Sequence, residues 1–171
     1  MKYLIDSDVL IQAKNSYYAF DVCPGFWDWL DHAHAQGLIA SVEKVAGELK
    51  AGSDELAAWA RSRPGFFLGT DQQTLSALLL VATWATSSAD YTQAAAREFL
   101  DAADSQLVAS ASALGLTVVT QERAAATRNK IKIPNACREL EVPYTDVFGM
   151  LRAEGARFVA PQANTPGTPQ T

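Results

Sequence analysis

Two carboxylates follow the first apolar stretch of the 171-residue chain. Residues 3–5 read Tyr-Leu-Ile, a short apolar run typical of a strand that is buried on both faces of a parallel sheet. Asp6 comes directly after this run and Asp8 follows two residues later. In open α/β sheets, ligands bind outside the carboxyl ends of the strands, so a carboxylate there is placed for chemistry. A simpler interpretation is that Asp6 or Ser7 caps the helix predicted to begin near Val9.

The same arrangement occurs a second time, late in the chain. Residues 116–120, Leu-Thr-Val-Val-Thr, are the clearest predicted strand, and helical patterns lie on both sides of them, as a parallel βαβ sheet requires. Glu122 follows this strand, so we expect it at the same edge of the sheet as Asp6. The fold class predicted is α/β, as a single-domain Rossmann-like three-layer fold with a central, mostly parallel sheet.

Two further candidate acids lie on predicted helices. Glu48 is flanked by small and apolar residues, so its side chain either extends to the rim of the core or points into a site. Asp104 stands where a new helix begins, and Asp101 lies three residues before it on the same side. One helix cap explains one of these two aspartates but not both. Asp6, Glu48, Asp104 and Glu122 are therefore the predicted converging set, with Asp8 and Asp101 as neighbours.

Converging carboxylates would need a counter-charge. Carboxylates about 4 Å apart repel by several kcal/mol per pair at an effective dielectric constant near 20. A hard divalent cation is the simplest compensation, and oxygen ligands without thiol or imidazole select Mg²⁺ or Mn²⁺. Metal ions held in this way can act on a phosphodiester.

A basic window lies beyond the second strand. Residues 123–138 contain five of the chain's 14 Lys and Arg residues and no acid. One interpretation is a solvated loop, and the other is a phosphate-binding rim beside the acids. The candidate substrate-binding residues are Ser7, Arg123, Arg128, Lys130 and Lys132.

The remaining patterns predict the elements that position these residues. Helices are expected at residues 9–16, 26–36, 41–51, 54–62, 72–86, 92–100, 104–114 and 146–154, with Ser41 and Thr145 as caps of the third and the last. Further extended segments are expected at residues 38–40, 66–68 and 143–144. The most apolar segment, residues 75–85, is too short to span a bilayer and is predicted to be a buried helix.

Composition limits the class of protein. With 49% hydrophobic residues, the chain has the size and composition of one domain, which we place at residues 1–160, with a flexible tail at residues 161–171. The net charge of −5 gives no general attraction to nucleic acid. Acidic residues near the N-terminus argue against a signal peptide. The two cysteines have no CxxC spacing, which fits a reducing compartment. We therefore expect a cytoplasmic location without membrane contact.

Four short segments together resemble the successive acidic motifs of PIN-domain nucleases, many of which are VapC-type toxins of toxin–antitoxin pairs. These segments are Leu4–Leu10, Val45–Leu49, Ala103–Ala111 and Val118–Glu122. They follow one another in the family's order and spacing over residues 1 to about 125. The part from residue 130 to 158 looks closer to a lesser-described PIN-like subfamily.

The resemblance implies a specific activity. Asp6, Glu48, Asp104 and Glu122 would be catalytic metal ligands for Mg²⁺ or Mn²⁺, and Ser7 would shape the first turn. The implied function is a metal-dependent endoribonuclease that hydrolyses RNA, acts as a toxin, forms a homodimer and is blocked by an antitoxin protein. Two positions depart from the family pattern, because Asp8 stands where Asn or Ser is more frequent and Glu122 where Asp is usual.

Two alternatives stay open. The opening Asp6-Ser7-Asp8 also resembles the DxD motif of haloacid-dehalogenase-type phosphatases, with the first aspartate as nucleophile and the second as general acid. Thr120 and Lys130 or Lys132 could serve as the later motifs of such an enzyme, but the expected acidic pair after a further strand is reduced to Asp146. The other alternative is a non-catalytic PIN-like module that binds RNA or protein.

Overall fold

Five short strands form one all-parallel sheet. The structure, a computed structural model, describes residues 1–159. The strands lie in the order β3-β2-β1-β4-β5 and are β1 (Tyr3–Ile5), β2 (Ile39–Val42), β3 (Phe67–Leu68), β4 (Thr117–Val119) and β5 (Tyr144–Thr145). In the centre, Tyr3 of β1 pairs with Ile39 of β2 and with Thr117 of β4. The predicted α/β fold with a Rossmann-like parallel sheet flanked by helices is confirmed, and the predicted tail at residues 161–171 lies outside the described residues.

Helices occupy most of the chain between the strands. They are α1 (Ser7–Gln12), which continues as a π-helical stretch (Ala13–Tyr17), α2 (Pro24–Ala35), α3 (Glu43–Lys50), α4 (Glu55–Arg61), α5 (Gln72–Ser87), α6 (Gln93–Asp101), α7 (Ala103–Leu114), α8 (Ile133–Glu139) and α9 (Val147–Ala153), with a 3₁₀ turn at Pro64–Phe66. Four of them begin with a side chain that accepts a hydrogen bond from the first turn, namely Asp54, Asp71, Thr92 and Asp146.

Two predicted caps belong to strands instead. Ser41 lies in β2, and its hydroxyl donates to the carbonyl of Ile5 at 2.5 Å, which ties β2 to the end of β1. Thr145 lies in β5, and the cap of α9 is Asp146, whose Oδ1 accepts a hydrogen bond from Gly149 N at 2.6 Å. The predictions for Ser41 and Thr145 were wrong because a hydroxyl beside a helix can also serve a neighbouring strand.

Most leucines of the most apolar helix, α5, are exposed. On α5, Leu75, Leu79 and Leu80 are 47%, 71% and 68% exposed. The buried residues of this helix are smaller: Thr74, Ala77, Val81 and Ala85. Because α5 packs directly against α7, small side chains at the contact let the two helix axes approach closely. The predicted helix is therefore present, but its predicted burial is wrong, since three of its four leucines are exposed and only Leu78 packs against the core.

Helix α8 was not predicted. It lies inside the basic window and begins with Ile133 and Pro134, and proline is well tolerated in the first turn of a helix. Its buried residues Ile133, Ala136 and Cys137 recur at helical spacing. Within residues 1–159, no helix is both long enough and apolar enough to cross a membrane.

Candidate active site

Asp6 lies where the two central strands end. Its backbone N–H donates to the carbonyl of Val119 at 2.9 Å, which fixes it beside β4. Its side chain is almost fully buried, and Oδ2 accepts a hydrogen bond from the Thr120 hydroxyl at 2.9 Å. Asp6 occupies the cap position of α1 but accepts no capping hydrogen bond from that helix. The structure therefore does not support the simpler interpretation of Asp6 as a helix cap.

Asp8 lies on the first turn of α1 and faces the same region. It is half-buried, and its Oδ1 accepts a hydrogen bond from Gln121 N at 3.2 Å, so it links α1 to the segment after β4. Burial raises the pKa of Asp8, while hydrogen bonds from Asp6 and from the Gln121 backbone act in the opposite direction. The carboxyl groups of Asp6 and Asp8 therefore affect each other's pKa.

Asp104 is positioned by a break between two helices. Helices α6 and α7 meet at Ala102, whose extended backbone ends one helix and begins the next. From α3, Lys44 Nζ lies 3.2–3.3 Å from three carbonyl oxygens at the end of α6. Glu48 Oε1 of the same helix accepts a hydrogen bond from Ala103 N at 3.3 Å. Helix α3 therefore holds both sides of the break, and the first turn of α7 carries Asp104 into the site.

A cleft of about 240 Å³ contains the acids. They come from three separate parts of the chain, since Asp6 and Asp8 follow β1, Asp104 begins α7 and Glu122 follows β4. The remaining lining residues are Ser7, Ala95, Glu98, Phe99, Ala102, Lys130 and Ile131. We call this cavity the acid cleft.

The negative charges in the acid cleft destabilise one another. Burial raises the pKa of Asp6 well above its usual range, and the neighbouring charges of Asp8 and Asp104 raise it further, against the effect of the Thr120 hydrogen bond. Burial, followed by the charges of Glu122 and Glu48, raises the pKa of Asp104 to about 6. A cation bound between these groups would remove this cost.

Glu122 is the acid of the cleft that the chain itself neutralises. Its Oε1 forms an ion pair with Lys132 Nζ at 2.5 Å, and its Oε2 accepts a hydrogen bond from Ile133 N at 2.8 Å. Its own backbone N–H donates to the Thr120 hydroxyl at 3.1 Å. Both carboxylate oxygens of Glu122 are therefore engaged.

The structure brings most of the predicted site residues together, but not all of them. Asp6, Ser7, Asp8, Asp104, Glu122 and Lys130 line the acid cleft, and Lys132 contacts it through Glu122. Glu48 is exposed and borders the cleft through the α7 backbone. Asp101 is exposed and does not line the cleft.

Two of the predicted substrate-binding arginines lie elsewhere. Arg128 donates to the carbonyl of Ala89 at 2.9 Å, and Arg123 lines a different cavity. Glu98 was not predicted as a site residue, but it lies 3.7 Å from Lys130, and both line the acid cleft. Glu98 follows the buried Ala95 by three residues on α6, and residues at this spacing share one side of a helix. That spacing was the only sequence signal that could have placed Glu98 beside the site.

The donor atoms of the acid cleft fit a hard divalent cation. They are carboxylate oxygens without imidazole or thiol, which is the set that Mg²⁺ and Mn²⁺ prefer. Raised pKa values at Asp6 and Asp104 show that negative charge there lacks compensation. Within residues 1–159, no three acidic, His or Cys side chains already form a closed metal site, so any ligands would have to draw together around the ion.

Comparison with known proteins identifies the family. Residues 3–158 match a family model that is described as Domain of unknown function (DUF4411). The chain belongs to this family. No curated protein matches the DUF4411 chain. A crystal structure of PAE2754 from Pyrobaculum aerophilum is similar, with a TM-score of 0.40 and 19% sequence identity, covering 82% of this chain and 97% of that chain.

Proposed function

We propose that this DUF4411 protein is a metal-dependent endoribonuclease that hydrolyses RNA phosphodiester bonds. One observation carries the proposal: Asp6 and Asp8 after β1 and Asp104 at the start of α7 line one cleft, where burial raises the pKa of all three carboxyl groups and neighbouring acids raise those of Asp6 and Asp104 further. Such an arrangement opposes folding unless a ligand uses it. Carboxylates gathered at the carboxyl edge of a parallel sheet are suited to hold a cation against a phosphodiester.

The residues of the acid cleft have distinct roles in this proposal. Asp6 and Asp104, with Asp8, hold Mg²⁺ or Mn²⁺, and Thr120 fixes the orientation of Asp6 through its hydrogen bond. The bound cation would neutralise charge that develops on the phosphodiester and make a water molecule more acidic. Lys130, at the mouth of the cleft, attracts the phosphate that enters.

The remaining acids support this centre. Glu122, with both oxygens engaged, ties Lys132 and the start of α8 to the edge of the acid cleft. Glu48 orients the first turn of α7, and with it Asp104, through Ala103 N. The resemblance to PIN nucleases gives Glu48 and Glu122 direct metal contacts, and this stays a prediction that substitution can test.

The biological role and the protein partners belong to the same proposal. The resemblance to VapC-type proteins favours a toxin that is blocked by an antitoxin and acts as a homodimer in the cytoplasm. An open reading frame for a small antitoxin-like protein beside the gene would support the toxin role.

A cleavage assay tests the central proposal. Purified full-length protein is incubated with single-stranded RNA in Mn²⁺, Mg²⁺ or EDTA, together with Asp104→Asn as the matched variant. We expect cleavage in Mn²⁺ or Mg²⁺, none in EDTA, and none with Asp104→Asn. Equal cleavage by the wild-type protein and Asp104→Asn would contradict the proposal, because the activity would then come from another site or a contaminant. Crystals soaked in Mn²⁺ would show by anomalous scattering whether an ion binds beside Asp6.

A phosphatase remains the second candidate because one contact favours it. The hydroxyl of Thr120 binds Asp6, as the later motif of a DxD phosphatase would require. Hydrolysis of p-nitrophenyl phosphate without hydrolysis of RNA would support this alternative. Metal-independent RNA binding without either reaction would support the non-catalytic module.

A further inference from the structure

A second cavity lies beside the acid cleft. It has a volume of about 510 Å³ and occupies the carboxyl ends of β4 and β5, which places it within the size range of small-ligand pockets. Its lining residues are Thr120, Gln121, Glu122, Arg123, Ala124, Pro134, Arg138, Tyr144, Thr145 and Asp146. Glu122 is common to both cavities, so a chain molecule in the acid cleft could continue into the second cavity, which we call the β4–β5 cavity.

Two arginines of the basic window line the β4–β5 cavity. Three basic residues of the window are already engaged, Lys130 with Glu98, Lys132 with Glu122 and Arg128 with the Ala89 carbonyl. Among residues 1–159, neither the Arg123 side chain nor the terminal nitrogens of Arg138 have a hydrogen-bond or ion-pair partner. The two guanidinium groups that remain to bind an anion are thus the two that line this cavity.

An aromatic ring lies beside one of these arginines. Arg138 Nε donates to the hydroxyl of Tyr144 at 3.0 Å, and its guanidinium group lies 6.0 Å from the centre of the tyrosine ring. Tyr144 is half-buried and is the first residue of β5, where it pairs with Val118 of β4, so its position is set by the sheet. Aromatic rings and guanidinium planes are the surfaces on which unpaired bases stack.

The carboxylates of the lining are already engaged. Glu122 is bound by Lys132 and by Ile133 N, and Asp146 accepts a hydrogen bond from Gly149 N at the start of α9. The Asp146 side chain is exposed, and the two arginines outweigh this one acid because Glu122 and Lys132 neutralise each other. A phosphate is therefore favoured over a cation in this cavity.

We propose that the β4–β5 cavity binds a nucleotide of single-stranded RNA that flanks the scissile phosphodiester, with Arg123 and Arg138 on its phosphate and Tyr144 under its base. This inference rests on the proposed ribonuclease function and adds a second subsite to it. It requires an unpaired base, since a base within a duplex offers no free face for stacking.

Binding measured without catalysis tests the subsite separately from the chemistry. A fluorescein-labelled RNA of eight nucleotides is titrated with full-length protein in EDTA, and fluorescence anisotropy is recorded at several salt concentrations. The variants are Arg123→Ala, Arg138→Ala and Tyr144→Ala, with circular dichroism as the check on folding. Tyr144→Phe keeps the ring, and Arg152→Ala is the matched control, because Arg152 also lies over an aromatic ring, Phe148, but does not line the cavity.

Each variant has its own expected signature. We expect Arg123→Ala and Arg138→Ala to weaken binding about tenfold and to reduce the salt dependence by about 0.7 per lost phosphate contact. Tyr144→Ala should weaken binding about tenfold without changing the salt dependence, since stacking contributes about 1–3 kcal/mol per base. Tyr144→Phe and Arg152→Ala should bind as the wild-type protein does, and duplex RNA should bind more weakly than the single strand.

The outcomes separate this inference from the proposed function. Unchanged affinity and salt dependence in both arginine variants would overturn the subsite even if the wild-type protein cleaves RNA in Mn²⁺. Equal affinity for duplex and single-stranded RNA would also overturn it. Loss of binding in the three variants together with no cleavage by the wild-type protein would uphold the subsite and overturn the nuclease.

Discussion

Two groups of acidic residues lie at the same edge of the sheet, one near β2 and the other near β1 and β4. The two groups differ in their hydrogen bonds and in their pKa values. Near β2, Glu43 accepts hydrogen bonds from Thr70 and Gln106, and Glu48 accepts one from the α7 backbone. Near β1 and β4, Asp6 is buried and Asp104 is half-buried, and both carry raised pKa values. The acids near β2 thus accept hydrogen bonds from neighbouring elements, while those near β1 and β4 are held where burial and neighbouring acids disfavour the charged form.

Under the proposed function, this difference separates structural acids from metal-binding ones. A carboxylate with donors around it stabilises the helices that it joins, and its replacement costs about the value of those hydrogen bonds. Carboxylates that repel one another lower the stability of the fold, so their presence indicates a ligand that relieves the repulsion. Three substitutions and one change of pH can test this comparison.

Asp104→Asn should have the largest effect. It removes one charge of the repelling group while keeping the shape of the side chain, so RNA cleavage should fall by on the order of 100-fold or more. The variant should fold normally. Initial cleavage rates in saturating Mn²⁺ provide the measurement. Equal losses of rate in Asp104→Asn and Glu48→Gln would contradict the distinction between the two groups of acids.

Stability should fall as the pH rises toward neutrality. The pKa of Asp104 is raised from 3.8 to about 6 in the folded protein, so between these values the folded state binds more protons than the unfolded state. The stabilisation is complete below about pH 4 and is lost as the pH rises through about 6, which amounts to up to about 3 kcal/mol. Asp6 acts in the same direction.

Urea unfolding in EDTA at pH 4.5 and pH 7 should show this loss in the wild-type protein and a smaller one in Asp104→Asn. Addition of Mn²⁺ at pH 7 should raise the unfolding free energy of the wild-type protein more than that of the variant. A wild-type protein more stable at pH 7 than at pH 4.5, with no difference in Asp104→Asn, would contradict the uncompensated charge in the acid cleft.

Glu48→Gln should have an intermediate effect. Glutamine keeps an oxygen that can accept from Ala103 N, but it removes the charge that acts on Asp104. A group that orients a ligand without binding the metal changes metal affinity by about 10-fold. Mn²⁺ affinity measured by calorimetry should therefore fall about tenfold, and a loss as large as that of Asp104→Asn would make Glu48 a direct ligand.

Asp8→Asn should have the smallest effect on a nuclease. An amide oxygen can still accept the hydrogen bond from Gln121 N, and the resemblance to PIN nucleases places Asn at this position in many members. RNA cleavage should stay within about threefold of the wild-type rate, or less than about 1 kcal/mol. Abolished activity would instead support the phosphatase, in which Asp8 would be the general acid.

The central part of this site was predictable because an acidic residue follows each of the two apolar runs that form the central strands. The apolar runs before Asp6 and Glu122 predicted β1 and β4, and parallel pairing then placed both acids at one edge. The pattern could not separate Glu48 from Asp104, since both lie on helices. Their different burial depends on the break at Ala102 and on its contacts with α3, which are contacts between distant parts of the chain.

The failures have a common physical cause. Hydrophobicity selected the leucines of α5 as buried, but close packing on α7 selected the small residues instead. The basic residues of the window suggested an open loop, while Ile133, Ala136 and Cys137 formed the buried face of α8. In both helices the side that packs is decided by the shape of the partner, which the sequence of the helix does not contain.

The contacts of Glu122 also close a loop of the chain upon itself. Because Lys132 and Ile133 both bind this one carboxylate, the backbone leaves and returns at the same point, and Ala126 is one of the exposed residues between Glu122 and Lys132. Extra residues inserted after Ala126 would lengthen a tethered arc without moving its base, and each doubling of the arc would cost only about 0.6 kcal/mol in closure entropy. The exposed part of this arc is therefore a place where an epitope or reporter peptide could be inserted while Lys132 and Ile133 stay bound to Glu122.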